Sequence, residues 1–275
     1  YLHGDWGYVF NSEYNTPFEQ IRGASKVYLL GCDVNMDNGV VGFQVQNVRY
    51  LNNMPVELVT EKEESSMEHK VDSILRVKSY YHFVKAINHY LLSHNLQNMI
   101  FINNNVSGFE EYKGNLLKED FNTLIKEAGV DGKTIENFAK AYNLEMNAIV
   151  IFSEREVCSN TSYELQNMAI ITGKLTKTSN GLISLKEKNN AYGILDMGVC
   201  NKFGVGTQMI DDQKYHGKVN EVWGTEVPAM IKDEHIDTIT SGKLKNYFIF
   251  GEDPVGCAKD KKEVKSWFEK AGFLM

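Results

Sequence analysis

The chain reads as an α/β protein with mostly parallel sheets, arranged in two lobes. Three observations carry that reading. Short apolar runs end in glycine or asparagine, amphipathic helical stretches lie between them, and the connections are short enough for strand–helix–strand units. The 275 residues suffice for one large or two small domains, and 43% hydrophobic against 24% charged residues is an ordinary globular balance.

In the first lobe, expected over 1–94, Val27, Tyr28, Leu29 and Leu30 form a strand closed by Gly31. Val41, Val45, Val48 and Asn52 then share one helical face, and the Asn52-Asn53 pair stops that helix. The run from Val56 to Val59, introduced by Pro55, gives the next strand. Tyr80, Phe83, Val84, Ile87 and Leu91 recur at helical spacing and predict a long helix. Residues 95–143 predict a helical connector. One of its helices carries Leu117, Phe121, Leu124 and Ile125; another starts near Asp131 or Thr134 and buries Ile135, Phe138, Ala139 and Tyr142.

The second lobe, 144–275, repeats the pattern. Residues 148–152 form a buried strand, and a helix capped at Asn160 or Thr161 turns Leu165, Met168, Ala169 and Thr172 inward before Gly173 ends it. An irregular region is expected from Ser179 to about Gly206. Residues 247–250 then form a strand, 251–254 a turn, and Val264, Trp267, Phe268 and Ala271 the inner face of a last helix. Residues 273–275 look like a strand barely begun, and the sequence opens at Tyr1 rather than methionine, so both ends are expected to be cuts in something longer. The aromatic start, with Trp6, Tyr8 and Phe10, is expected to dock on the sheet.

Charge narrows the function classes. Lys and Arg total 29 against 36 Asp and Glu, a formal −7 with no basic stripe, which excludes nucleic acid as a partner. No apolar stretch approaches the roughly 18 residues of a spanning helix, so no direct membrane insertion is expected. Cys32, Cys158, Cys200 and Cys257 are far apart and match no zinc or disulfide spacing; they read as reduced thiols of a cytoplasmic protein. His82 and His89, seven apart on one helix, read as surface or half-buried fillers rather than a metal pair. No Gly-rich phosphate loop, nucleophile elbow or zinc helix motif occurs, so no catalytic residue and no metal ligand is assigned.

In open parallel sheets, ligands sit beyond the carboxyl ends of the strands. Four loops fit: Gly31-Cys32-Asp33, Thr60-Glu61-Lys62, Ser153-Glu154-Arg155 and Gly251-Glu252-Asp253-Pro254. Their glycines, amides and carboxylates suit a nucleotide-type ligand, although such loops occur in every doubly wound sheet.

One stretch is more specific. The run from Asn180 to Gly198, with Lys186, Asn189-Asn190, Gly193 and Asp196-Met197-Gly198, resembles the G-x-N-P-L-R-G-x-N-N-x-x-G-x-x-D-M-G segment of the molybdopterin oxidoreductases. That family includes formate dehydrogenase large subunits and the G subunit of NADH:quinone oxidoreductase (NADH dehydrogenase). Thr172-Gly173-Lys174 is similar to the family's T-G-N, and Gly251 to Pro254 to its G-E-[ND]-P. Leu29 to Asp33 resembles its L-x-G-[ST]-N strand end, and Gly108 to Glu111 its G-F-E-E connector.

The resemblance implies two Rossmann-like lobes, as in domains 1–3 of formate dehydrogenase and dimethyl sulfoxide reductase, around a bis-(molybdopterin guanine dinucleotide) centre of molybdenum or tungsten. Carried over by position, the cofactor-facing residues are Gly31, Cys32 and Asp33; Lys186, Asn189, Asn190 and Gly193; and Gly251, Glu252, Asp253 and Pro254. Where the family has D-P-R this sequence has Thr60-Glu61-Lys62, and where it has [RK]-P-G-T-D this sequence has Lys78-Ser79-Tyr80-Tyr81-His82, so the first half-site reads as degraded.

The expectation is a fragment of an electron-transfer subunit, of the type of the NADH:quinone oxidoreductase G subunit, working with an N-terminal iron–sulfur domain of the same polypeptide and other redox subunits. It would be cytoplasmic, at most peripheral to a membrane complex. The fragment alone is expected to be inactive and to retain no cofactor. The alternative is the cofactor domains of a formate dehydrogenase-type enzyme, and a third class is a stand-alone nucleotide-binding module.

Overall fold

The computed structural model describes residues 15–153, 155–186, 190–198, 204–206, 208, 212–226, 235–258 and 260–275. Trp6, Tyr8, Phe10, Asn189 and Cys200 lie outside them. The chain divides into two compact units, Tyr1–Thr207 and Gln208–Met275.

The first unit is built on one parallel sheet of five strands: β1 (Lys26–Leu30), β2 (Val56–Thr60), β3 (Ser73–Arg76), β4 (Ala148–Ser153) and β5 (Gly181–Leu185), in the order β3-β2-β1-β4-β5. Leu29 pairs with Leu58 on one side and Ile151 on the other, so β1 is central. Strands covered on both faces read as near-continuous apolar runs, and β1 and β4 do: Val27 to Leu30 and Ala148 to Phe152 are all apolar and buried, with Lys26 and Ser153 at the strand ends.

Alternation decides which layer each side chain joins. Val27, Leu29, Ile149, Ile151 and Ile183 face α2 (Gly39–Asn52), while Tyr28, Leu30, Val150, Phe152 and Leu182 face the helices of the other layer. Between these, α1 (Val34–Asp37) is a single turn after β1.

The α2 helix starts where the Asn38 side chain accepts from the Val41 N–H, and ends where Asn53 takes the left-handed conformation, as the Asn52-Asn53 pair predicts. On the opposite layer, α3 (Tyr80–Ser93) is central, surrounded by α6 (Phe121–Ala128), α7 (Gly132–Leu144) and α8 (Ser159–Ile171), with α4 (Met99–Asn105) and α5 (Phe109–Leu116) beside them. Tyr28, Phe138, Phe83 and Tyr142 form an aromatic cluster there, with ring centroids 5.1–5.5 Å apart. Such pairs add about 0.5–1.5 kcal/mol each beyond their burial.

The expected division at 94 and 144 is therefore corrected in its topology. Residues 148–153 do not open a second sheet; β4 pairs with β1. The 95–143 helices cover one face of that sheet rather than linking two sheets. Two strands are additions to what the sequence predicts. β3 is an edge strand with half-exposed residues, and β5 opens the 179–206 stretch expected to be irregular, yet all five of its residues are buried. Asn15 and Thr16 pair with Leu182 at the free edge of β5, while the aromatic residues expected to dock on the sheet lie outside the described residues. The helix expected from Asn160 or Thr161 begins at Ser159. α9 (Ala191–Asp196) follows β5, and Met197 bridges Val205.

The second unit holds α10 (Gln213–Trp223), α11 (His235–Thr240), β6 (Asn246–Tyr247), α12 (Lys261–Phe268) and β7 (Phe273–Leu274). The expected strand over 247–250 shortens to β6, which pairs in parallel with β7, and Phe248 and Phe250 are exposed. No helix among the described residues is long and apolar enough to cross a membrane.

Candidate functional site

The order β3-β2-β1-β4-β5 reverses direction between β1 and β4, and ligands of such sheets bind at the carboxyl end of that switch point. Here Gly31-Cys32-Asp33 leaves β1, and Arg155, Glu156 and Val157 leave β4. Beside them Thr60-Glu61-Lys62 leaves β2, Val77 to Ser79 leads from β3 into α3, and Lys186 follows β5. The topology thus gathers most of the expected loops on one edge.

At the switch point the space is already taken. Gly31 has φ +58, and a Cβ there would lie 2.4 Å from Val157 Cγ2 and 3.1 Å from the Tyr80 ring. Tyr80 is only 4% exposed. Its N–H donates to Glu61 Oε1 at 2.6 Å, and its hydroxyl accepts from the Glu61 N–H at 2.9 Å. That hydroxyl also donates to Glu156 Oε2 at 3.4 Å. Burial pushes the Tyr80 phenol well above its ordinary range, so it is a neutral donor.

Charge opposes a phosphate here as well. Asp33, Asp37, Glu61 and Glu156 crowd the edge, and three of its cations are engaged: Lys62 with Glu156 at 2.5 Å, Arg155 with Asp37 at 3.4 Å, and Arg76 with Glu68 at 2.5 Å. Asp33 accepts from the Ser66 hydroxyl and from the Met36 N–H at the start of α1. Lys78 lays its methylenes against Gly129.

Of the expected cofactor residues, Gly31 and Asp33 lie on the edge but face this protein's own side chains. Cys32 is corrected: it is 3% exposed, packs in the core, and its thiol donates to the Ile151 carbonyl at 3.3 Å. Gly31, with φ +58, breaks the alternation of β1, and Cys32 joins the layer of Val27 and Leu29 rather than that of Tyr28 and Leu30. Burial, with Asp37 and Glu156 nearby, raises its pKa well above the usual thiol value. Lys186, half-buried, stands at the end of β5, and the Asn190 side chain covers Gly193, whose Cβ would lie 2.2 Å from Asn190 Oδ1. Asn189 lies outside the described residues.

In the second unit, Gly251 has φ +65 and the Asp253 carboxylate accepts from the Gly256 N–H at 2.7 Å. Gly251, Glu252 and Asp253 are exposed and Pro254 is half-buried. His89 stacks on Phe121 with centroids 5.2 Å apart, while His82 Nδ1 lies 2.9 Å from Ser79 Oγ. Among the described residues no group of three His, Cys, Asp or Glu is placed to hold a metal ion.

This plug is half legible in sequence. Tyr80 stands out where glycine is expected, but Glu156 and Val157 carry no signal until the fold sets β4 beside β1.

Known proteins supply the context. No protein-family model matches the chain. It is 25% identical over 69% of its length to a provisionally named formate dehydrogenase of Staphylococcus haemolyticus. It is 23% identical over 93% to the provisionally named oxidoreductase YjgC of Bacillus subtilis, and 23% identical over 86% to YrhE of the same organism, again a provisional formate dehydrogenase. The chain is a distant homologue of the formate dehydrogenase-type molybdopterin oxidoreductases. It spans only 20–27% of the length of those relatives. Among solved structures, acetylene hydratase from Pelobacter acetylenicus superposes with a TM-score of 0.59 at 12% identity, over 97% of this chain and 40% of the hydratase, which supports the α/β fold.

Molybdopterin oxidoreductases typically bind a molybdopterin cofactor. The β1–β2 part of this edge does not fit one. A guanine dinucleotide needs bare backbone at Gly31 and free positive charge, and finds a tyrosine, a valine and four carboxylates.

Proposed function

We propose that this chain is a segment of a molybdenum- or tungsten-dependent oxidoreductase of the formate dehydrogenase type, in which the carboxyl edge at β1 and β2 serves as scaffold rather than as a seat for guanine dinucleotide. The names of the relatives favour that reading over one as an NADH:quinone oxidoreductase G subunit. The observation that carries the scaffold half is the Tyr80 ring packed beside Gly31. Residues for further nucleotide contacts would be Lys186, Asn189, Asn190 and Gly193 on one turn, and Gly251, Glu252, Asp253 and Pro254 on another. The partners would be an iron–sulfur domain of the same polypeptide and further redox subunits.

The test is metal, pterin and guanine-nucleotide analysis of the full-length protein, together with formate-dependent dye reduction. The expected result is metal with fewer than two guanine nucleotides per metal atom; two per metal atom would refute the closed seat. The same closed edge favours a second reading, an electron-transfer scaffold of the G-subunit type that has lost the pterin site. A clean absence of metal and pterin would select it.

A further inference from the structure

The opposite, amino edge of the sheet carries a different chemistry. A cleft of about 400 Å³ opens between the segment entering β4, the turn after α8 and the turn between α3 and α4. Its volume lies within the roughly 300–1,000 Å³ of small-ligand clefts.

Lys174 is placed there by the end of α8. Gly173 takes φ +64, the Lys174 N–H closes on the Ala169 carbonyl at 2.8 Å, and the side chain turns inward until the residue is 5% exposed. Its ammonium donates to the Glu145 carbonyl and stands 5.3 Å from the centre of the Tyr142 ring. Lys177, exposed on the cleft wall, makes no ion pair with a described residue, and neither does Lys174. Asn98 also lines the cleft; its Oδ1 is used by the Phe101 N–H at 3.0 Å, which leaves its Nδ2 as a donor. The carboxylate on this wall, Glu145, is engaged by the Ser25 hydroxyl at 2.5 Å. Leu96, Leu144 and Met146 supply apolar surface beside these donors.

We propose that this cleft binds a small organic carboxylate, its head group on Lys174 and Lys177 and a short apolar body against Leu144 and Met146. Two ammonium groups and an amide donor face one engaged carboxylate in a protein of net charge −7, so the cleft is locally cationic. A bound carboxylate supplies the anionic partner that neither ammonium group has among the described residues, and its hydrogen bonds are charge-assisted on both sides. It also offsets the cost of keeping Lys174 charged while buried. Burial first, then Lys177, lowers Lys174 to about 8, with Glu145 the opposing influence. Lys177, Glu145 and the neutral Tyr142 phenol are the titratable groups facing it. Binding should therefore take up a proton above pH 8 and weaken as pH rises.

The test is calorimetric titration of this chain with butyrate, with inorganic phosphate and chloride at equal ionic strength as separate arms. Butyrate is expected to bind saturably in the millimolar range at pH 7, and to bind about tenfold more weakly at pH 9.5 and in Lys177→Ala, a change of roughly 1.4 kcal/mol. Lys177 is exposed and makes no ion pair with a described residue, so that variant should keep the wild-type unfolding transition, measured in parallel. The absence of saturable butyrate binding, affinity indifferent to both pH and Lys177→Ala, or phosphate bound as tightly as butyrate would each overturn the proposal.

Discussion

Tyr80 and Glu61 hold each other reciprocally: the backbone N–H of each residue donates to the side-chain oxygen of the other, at 2.6 and 2.9 Å. The clasp ties the end of β2 to the first turn of α3 and fixes the ring beside Gly31. Tyr80→Phe keeps the ring but leaves the Glu61 N–H without its acceptor. The expected cost is about 1–2 kcal/mol of stability, read as a lower urea midpoint at unchanged slope. Adding Glu61→Gln to Tyr80→Phe should cost less than the sum of the two single changes, because they disturb one network. Strict additivity would show that the clasp does not couple them.

Gly31 is constrained by conformation and by space. Its φ of +58 disfavours any side chain, and a methyl group would meet Val157 and Tyr80. Gly31→Ala should destabilise by about 2 kcal/mol or more. Val157→Ala in the same protein should recover the part due to the clash and leave roughly 1 kcal/mol for the backbone. Full recovery would mean that the left-handed conformation carries no cost here.

These two residues also show how far the sequence can be read. β1, β4, α2 and α3 are legible because apolar spacing and caps such as Asn38 and Asn53 are local signals. β3 is not, because an edge strand with exposed Ser73 and Arg76 lacks an apolar run. β5 is masked by its flanking asparagines and glycine, and its membership in the first sheet depends on long-range pairing with β4. The glycine turn at Gly31 can be found by motif. That Val157 and Glu156 close over it depends on the strand order, which no window of sequence contains. Lys174 reads in sequence only as a departure from an asparagine; its burial follows from the turn at Gly173.

Buried phenols set the alkaline limit. Burial raises the pKa of Tyr28, Tyr80, Tyr112 and Tyr142 well above 10, with Glu164 adding to it at Tyr112 and Glu57 at Tyr28. The folded state holds these protons more tightly than the unfolded state does. The resulting stability is fully present below the unfolded phenol pKa of about 10 and is lost as pH rises beyond it. Tyrosinate absorbance of these four among the 14 tyrosines should therefore appear in one step with loss of helical circular dichroism. Their ionisation before unfolding would contradict the burial argument.

At the acid end the relevant group is Asp72. Its carboxylate accepts from Arg49 Nε and Nη2, at 3.0 and 2.8 Å, and from the Val56 N–H at 2.8 Å, joining α2 to the start of β2. The Arg49 hydrogen bonds hold the Asp72 carboxyl below the usual range, aided by Val56. A depressed folded pKa gives stability that is present above the unfolded value of about 3.9 and is lost as pH falls through the folded one. The pair is partly exposed, with 30% and 45% of the side chains open to solvent, so screening keeps the contribution small. Asp72→Asn should lose about 1 kcal/mol at neutral pH, and the difference from wild type should shrink below pH 4 as the wild-type carboxylate is protonated. Parallel urea titrations at pH 7 and pH 3 check this, and a gap that does not narrow at pH 3 would assign the loss to packing rather than to the charge.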